Sequence, residues 1–228
     1  MIFDAAWRLN RAFSAAARTA PAGPLADYYA AGLPDLSATD GPMAAIDLET
    51  DGLNAKNDPI LEVGYVAMRA QGIDLSSALR LRIKPKSALR REAVIVHRIT
   101  DDAIAFAQTE AETLAKLLPC LAGRVLVAHF AQIEAAFLDA ACQRIYGAPF
   151  VAPFICTFQL ENRWFPAVRQ SDELRLGRLR AAYSLPQYTA HDGLIDAIAC
   201  GEVMLAQRAR KTESRRGGAV HLSEMLRR

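Results

Sequence analysis

Hydrophobic positions recur along this chain at two periods, and the switches between them predict the elements. Ile2, Ala6, Leu9 and Phe13 fall at helical spacing, which predicts a short amphipathic helix packed on the main domain. Residues 20–42 hold four prolines and three glycines and read as a connecting arm, so the ordered domain is expected to begin near Gly41. Met43 to Glu49 and Ile60 to Met68 then read as strands, and Leu79 to Lys84 alternates apolar and basic residues as a third. Thr109 followed by Glu112 forms a capping box ahead of Leu114, Leu117, Leu118 and Leu121, the signature of a helix start. Val125 to Ala128 is wholly apolar, as a buried parallel strand requires. Ile133, Phe137, Ala141 and Ile145 mark a helix that stops at Gly147. Leu176, Leu179 and Tyr183 predict another that ends before Pro186, and Leu194, Ile198 and Leu205 a last long one. Three strands, then helix, strand and helix, predict an α/β fold in which helices flank a mixed sheet.

The expected organisation is an N-terminal helix and arm over 1–40, a main domain over 41–207 and a tail over 208–228. In the tail, Arg208, Arg210, Lys211, Arg215, Arg216, Arg227 and Arg228 face only Glu213 and Glu224, which reads as a frayed helix end and a mobile basic segment. With 228 residues, 52% of them hydrophobic, the chain can bury one sizeable core. A net charge of +2 neither advertises nor excludes a polyanionic partner. Cys120, Cys142, Cys156 and Cys200 form no CxxC pair and read as reduced core thiols, which favours the cytoplasm. His97, His129, His191 and His221 are too dispersed for a zinc site. No uncharged apolar run approaches the roughly 18 residues of a membrane span, so no membrane partner is expected.

The most informative string is Ala45-Ile46-Asp47-Leu48-Glu49-Thr50-Asp51-Gly52-Leu53. Side chains alternate along a strand, so Asp47 and Glu49 share one face and Ile46 and Leu48 the other. Two carboxylates about 4 Å apart repel by roughly 4 kcal/mol at an effective dielectric of 20, a penalty that a divalent cation between them removes. Hard oxygen ligands suit magnesium or manganese. Further on, a buried strand runs through His129 into a helix whose first turn carries Glu134, where the helix dipole favours an anion. At the start of the last helix His191 precedes Asp196 by five residues.

In that order, strand DxE, strand-to-helix acid, and helix-entry His with a later Asp resemble the three motifs of the DEDDh family of 3′→5′ exonucleases. That family includes the epsilon subunit of bacterial DNA polymerase III, ribonuclease T and oligoribonuclease. The resemblance covers roughly residues 43 to 206 and is supported by Ile60-Leu61-Glu62-Val63-Gly64, Val96-His97-Arg98-Ile99-Thr100 and Tyr183-Ser184-Leu185-Pro186. It implies a ribonuclease-H-like mixed five-stranded sheet. It also implies two Mg2+ or Mn2+ ions, bound directly by Asp47, Glu49 and Asp196, with His191 as general base. Leu53 is implied as a wedge against the last bases. The departures lie in the second motif, where Glu134 replaces the usual aspartate and Phe130 a common asparagine, and at Cys156-Thr157, which replaces an aspartate-threonine pair.

The implied activity is phosphodiester hydrolysis from 3′ ends of single-stranded DNA or RNA, DNA slightly favoured, with a polymerase or repair protein as a possible partner. Arg90, Arg91, Arg163 and Arg169 are candidate phosphate contacts. An exoribonuclease, or a nucleic-acid-binding module impaired by Glu134, are the alternatives, because the motifs report the phosphodiester and not the sugar.

Overall fold

The computed structural model describes residues 2–85, 107–166 and 171–227. After helices α1 (Ile2–Ala17) and α2 (Pro24–Ala30), strands β1 (Met43–Thr50), β2 (Ile60–Arg69) and β3 (Gly72–Arg82) form an antiparallel meander. Helix α3 (Glu110–Leu121), strand β4 (Val125–Ala128), helix α4 (Gln132–Tyr146) and strand β5 (Phe154–Cys156) follow. Helices α5 (Thr157–Trp164), α6 (Leu176–Ala182), α7 (Gly193–Ser214) and α8 (Leu222–Met225), with a 3-10 turn over Ser171–Leu174 before α6, complete the described elements. The sheet order is β3-β2-β1-β4-β5, with β1, β4 and β5 parallel to one another, so the expected mixed five-stranded sheet is present.

Period-two alternation divides the core. Ala44, Ile46 and Leu48 of β1 pack with Leu126 of β4 against α2, α3 and α4. Met43 and Ala45 face the other way with Val125 and Val127, against Cys200 and Met204 of α7 and the residues of α8. Thr109 caps α3 as its capping box predicts, and Gly147 ends α4 at a φ of 66°. The four cysteines are free, and three of them are buried. No helix among the described residues is long and apolar enough to cross a membrane.

Three expectations need correction. Residues 20–42 are not a mere connecting arm: Pro24 stands in the first turn of α2, where its missing N–H costs nothing. Leu25, Tyr28 and Tyr29 of that helix are buried. The Tyr28 and Tyr29 hydroxyls donate to the carbonyls of Val151 and Pro149 at 2.9 and 2.7 Å. The basic segment is likewise docked rather than free. Helix α7 runs on to Ser214, and Val220, Leu222, Met225 and Leu226 are buried. Backbone bonds from Leu222 to Ala38, Ser223 to Leu36 and Arg227 to Phe154 fasten it. The arginines drew attention away from these four apolar positions. Strand β3 also begins seven residues earlier than its apolar pattern, at Gly72, because an edge strand has one side open to water and tolerates polar residues.

Candidate active site

Asp47 and Glu49 extend the β1 face that carries Met43 and Ala45, so the strand that packs under α7 ends in two acids. Glu49 lies directly opposite Glu62 of β2, a like-charge pair that needs relief. Three groups supply it to Glu62. Arg82 Nε donates at 2.8 Å, Arg80 Nε lies 3.8 Å away, and the Gly193 N–H donates to Oε1 at 3.1 Å. Arg80 also grips the Asp192 carboxylate at 2.5 and 2.6 Å, and Asp192 caps α7 by accepting from the Ile195 N–H at 3.1 Å. Gly64 lets the helix start sit on the sheet, since a methyl group there would overlap the backbone of Gly193. This seating carries Asp196, in the first turn of α7, over the end of β1. Ligand oxygens of Asp47, Glu49 and Asp196 all lie within 4.8 Å of one another. Such a trio of oxygen donors could hold a divalent cation.

Electrostatics mark the same cluster. Burial, then the charges of Glu134, Asp196, Glu49 and Glu62, push the Asp47 carboxyl well above the usual range. Burial and Glu49 raise Asp196 as well, opposed by hydrogen bonds from the Tyr188 hydroxyl and the His191 and Asp192 amides. Glu134, buried in the first turn of α4, is pushed by desolvation up to about 8. Its Oε2 is buried and meets no hydrogen-bond donor among the described residues. An orphaned carboxylate oxygen beside three other acids is costly unless a cation or its water shell faces it. The chain reaches Glu134 through Phe130, which has a φ of 63°. That is an unusual conformation for a bulky residue, and the ring packs on Phe158 at a centroid distance of 4.4 Å.

His191 is exposed, at a φ of 67°, on the loop between α6 and α7. Arg180 fastens that loop: its buried guanidinium donates to the Ala199 and Pro186 carbonyls and to Glu202, and lies over the Tyr188 ring. A cavity of about 970 Å³ opens here, lined among others by Asp47, Glu49, Glu134, Asp196, His191 and Leu53.

A model of the exonuclease family, RNase_T, matches residues 44–204. The chain belongs to this family. The exonuclease is 29% identical over 170 residues to the DNA polymerase III subunit epsilon of Treponema pallidum, a match covering 73% of this chain and 78% of that protein. Its fold resembles the nuclease domain of 3′hExo, a DEDDh family member bound to rAMP. There the TM-score is 0.63 at 16% identity, over 74% of this chain and 92% of that one. It also resembles Escherichia coli exonuclease I in complex with a dA16 oligonucleotide, with a TM-score of 0.65 at 15% identity, over 75% of this chain and 42% of that one.

The structure thus brings the five sequence-predicted residues Asp47, Glu49, Glu134, His191 and Asp196 to one cavity of the exonuclease. Leu53 stands at the same cavity, 83% exposed. Arg163 is not among the residues lining this cavity: its guanidinium donates to the carbonyls of Leu226 and Glu224. Arg90, Arg91, Arg169 and the Val96–Thr100 turn lie outside the described residues. Glu62, Tyr188 and Arg180 were missed as supports of the site. Only Glu62, in the Ile60–Gly64 string, carried any signal, because the other two sit outside any motif and act through contacts that no period announces. The Thr157 hydroxyl bonds His129 Nδ1 at 2.7 Å, which gives the Cys156-Thr157 pair a structural part.

Proposed function

We propose that this exonuclease removes nucleotides stepwise from the 3′ end of single-stranded nucleic acid, using two Mg2+ or Mn2+ ions. The observation that carries this is the Asp47, Glu49 and Asp196 trio within 4.8 Å, with the buried Glu134 near enough to raise Asp47 further. Asp47, Glu49 and Asp196 would hold the ions directly, and Glu134 from farther out through water. The ions, when bound, neutralise the phosphodiester and make water a stronger acid. His191, on its loop at the rim, takes the proton of the attacking water on an imidazole nitrogen. The exposed Leu53 wedges against the last bases, a contact indifferent to sequence.

Likeness to a DNA polymerase III epsilon subunit favours DNA, and association with a polymerase or repair protein, while the fold shared with an rAMP-bound nuclease keeps RNA as the second substrate. The test uses matched 5′-labelled DNA and RNA single strands. A ladder shortening from the 3′ end, stopped by EDTA and abolished by Asp47→Ala, is expected. Undiminished shortening by Asp47→Ala would overturn the proposal.

A further inference from the structure

We infer that Arg175 and Arg178, at the start of α6, hold the strand's phosphates upstream of the cleaved bond. The inference rests on the exonuclease reading above. In a 3′→5′ exonuclease the cleaved phosphate is the last one, so every other phosphate lies on its 5′ side. Those phosphates lie beyond the carboxylate cluster that serves the last one.

The cavity wall is hostile to them. Asp47, Glu49, Asp51, Glu134 and Asp196 line it, and a polyanion entering needs cations outside the carboxylate cluster. Among the described residues, the arginines lining it are Arg175, Arg178 and Arg180. Arg180 is already committed, buried against Glu202 and two carbonyls, and holds the His191 loop in place. Arg175, the N-cap residue of α6, and Arg178, in its first turn, are exposed and both line the cavity, so both stand on the face that the start of α6 turns to it. Leu179 of the same helix is buried and fixes which way that face points. Arg175 pairs with Asp172 at 2.7 Å, but with side chains 74% and 58% exposed the pair is weak and yields to phosphate at little cost. The guanidinium fork matches phosphate oxygens two at a time, which a lysine does not.

The test is steady-state kinetics on a 5′-labelled ten-nucleotide DNA single strand with magnesium, from low to moderate salt. Arg175→Ala/Arg178→Ala should raise KM about tenfold with kcat within about threefold. It should also flatten the fall of log(kcat/KM) against log salt by about one unit, because fewer counterions are released. Arg175→Lys/Arg178→Lys should restore the slope and only part of the KM. If wild-type protein cuts the strand but the alanine variant keeps both KM and slope, or loses kcat alone, the arginine assignment falls by itself. If wild-type protein cuts neither DNA nor RNA, the exonuclease reading falls, and this assignment with it.

Discussion

At Glu134 a side chain one methylene longer than the family's usual aspartate sits fully inside the protein, with one oxygen aimed at no donor. It stands outside the tight trio, and in the function proposed above it serves through water rather than by direct ligation. Loss of such an outer contact typically costs 10- to 100-fold, against nearly all activity for a direct ligand. Glu134→Gln is therefore expected to slow cleavage by that factor without matching Asp47→Ala, and Glu134→Asp to retain or improve the magnesium rate. No effect of Glu134→Gln with either ion would remove this residue from the site. His129 supplies a second prediction at this scale. Burial pushes its imidazole down to about 4, offset only in part by the Leu174 carbonyl. The unfolded chain, with a reference value near 6.5, thus binds the proton that the fold refuses. Stability from this residue is complete above about pH 6.5 and is lost as pH falls from there toward about 4, amounting to roughly 3 kcal/mol. Urea unfolding of wild type and His129→Gln from pH 7.5 to 4 checks it: the wild type should lose more over that window. Parallel curves would show that the buried ring does not govern acid sensitivity.

Among the elements, the seating of α7 on β2 decides where Asp196 stands. Gly64→Ala would force a methyl into the backbone of Gly193, and the helix start must lift. The expected outcome is a loss of roughly 2 to 4 kcal/mol in denaturant stability and a drop in cleavage of about 100-fold, since displacement near 1 Å is enough to spoil catalytic geometry. A variant of normal rate and stability would mean that the contact is not positioning the helix. How legible this was differs by element. Asp47 and Glu49 were legible because strand alternation alone puts them on one face, and Glu134 and Asp196 because, after that strand, their order along the chain resembles the family's motifs. The bond from Gly193 to Glu62 and the grip of Arg80 on Asp192 join residues more than a hundred positions apart, for which no local period exists. Helix α2 was hidden by prolines that flank it rather than interrupt it. Strand β5 has only three residues, too few to show a pattern.

For the molecule as a whole, the segment after α7 is part of the core. Leu226 pairs with Ile155 and covers the outer side of β5, an edge that would otherwise be open to other chains. Removing residues 216–228 takes Val220, Leu222, Met225 and Leu226 out of the core, uncovers their neighbour Ile155 on the β5 edge, and should cost roughly 5 kcal/mol, measured by denaturant midpoint, with aggregation on warming. An unchanged midpoint would mean that the docking contributes nothing. The crowding of acids around Asp47 has a consequence of a different kind. In the function proposed above, the acids that cutting needs are set against the heat resistance of the protein, because each added negative charge weakens the fold that gathers them. Asp47→Asn should therefore melt several degrees above wild type in EDTA, each kcal/mol counting for about 2 to 4 °C in a chain of this size. Magnesium should narrow or reverse that difference by raising the wild type more. A melting curve would then report the loading of the site with ions with no nucleic acid in the tube.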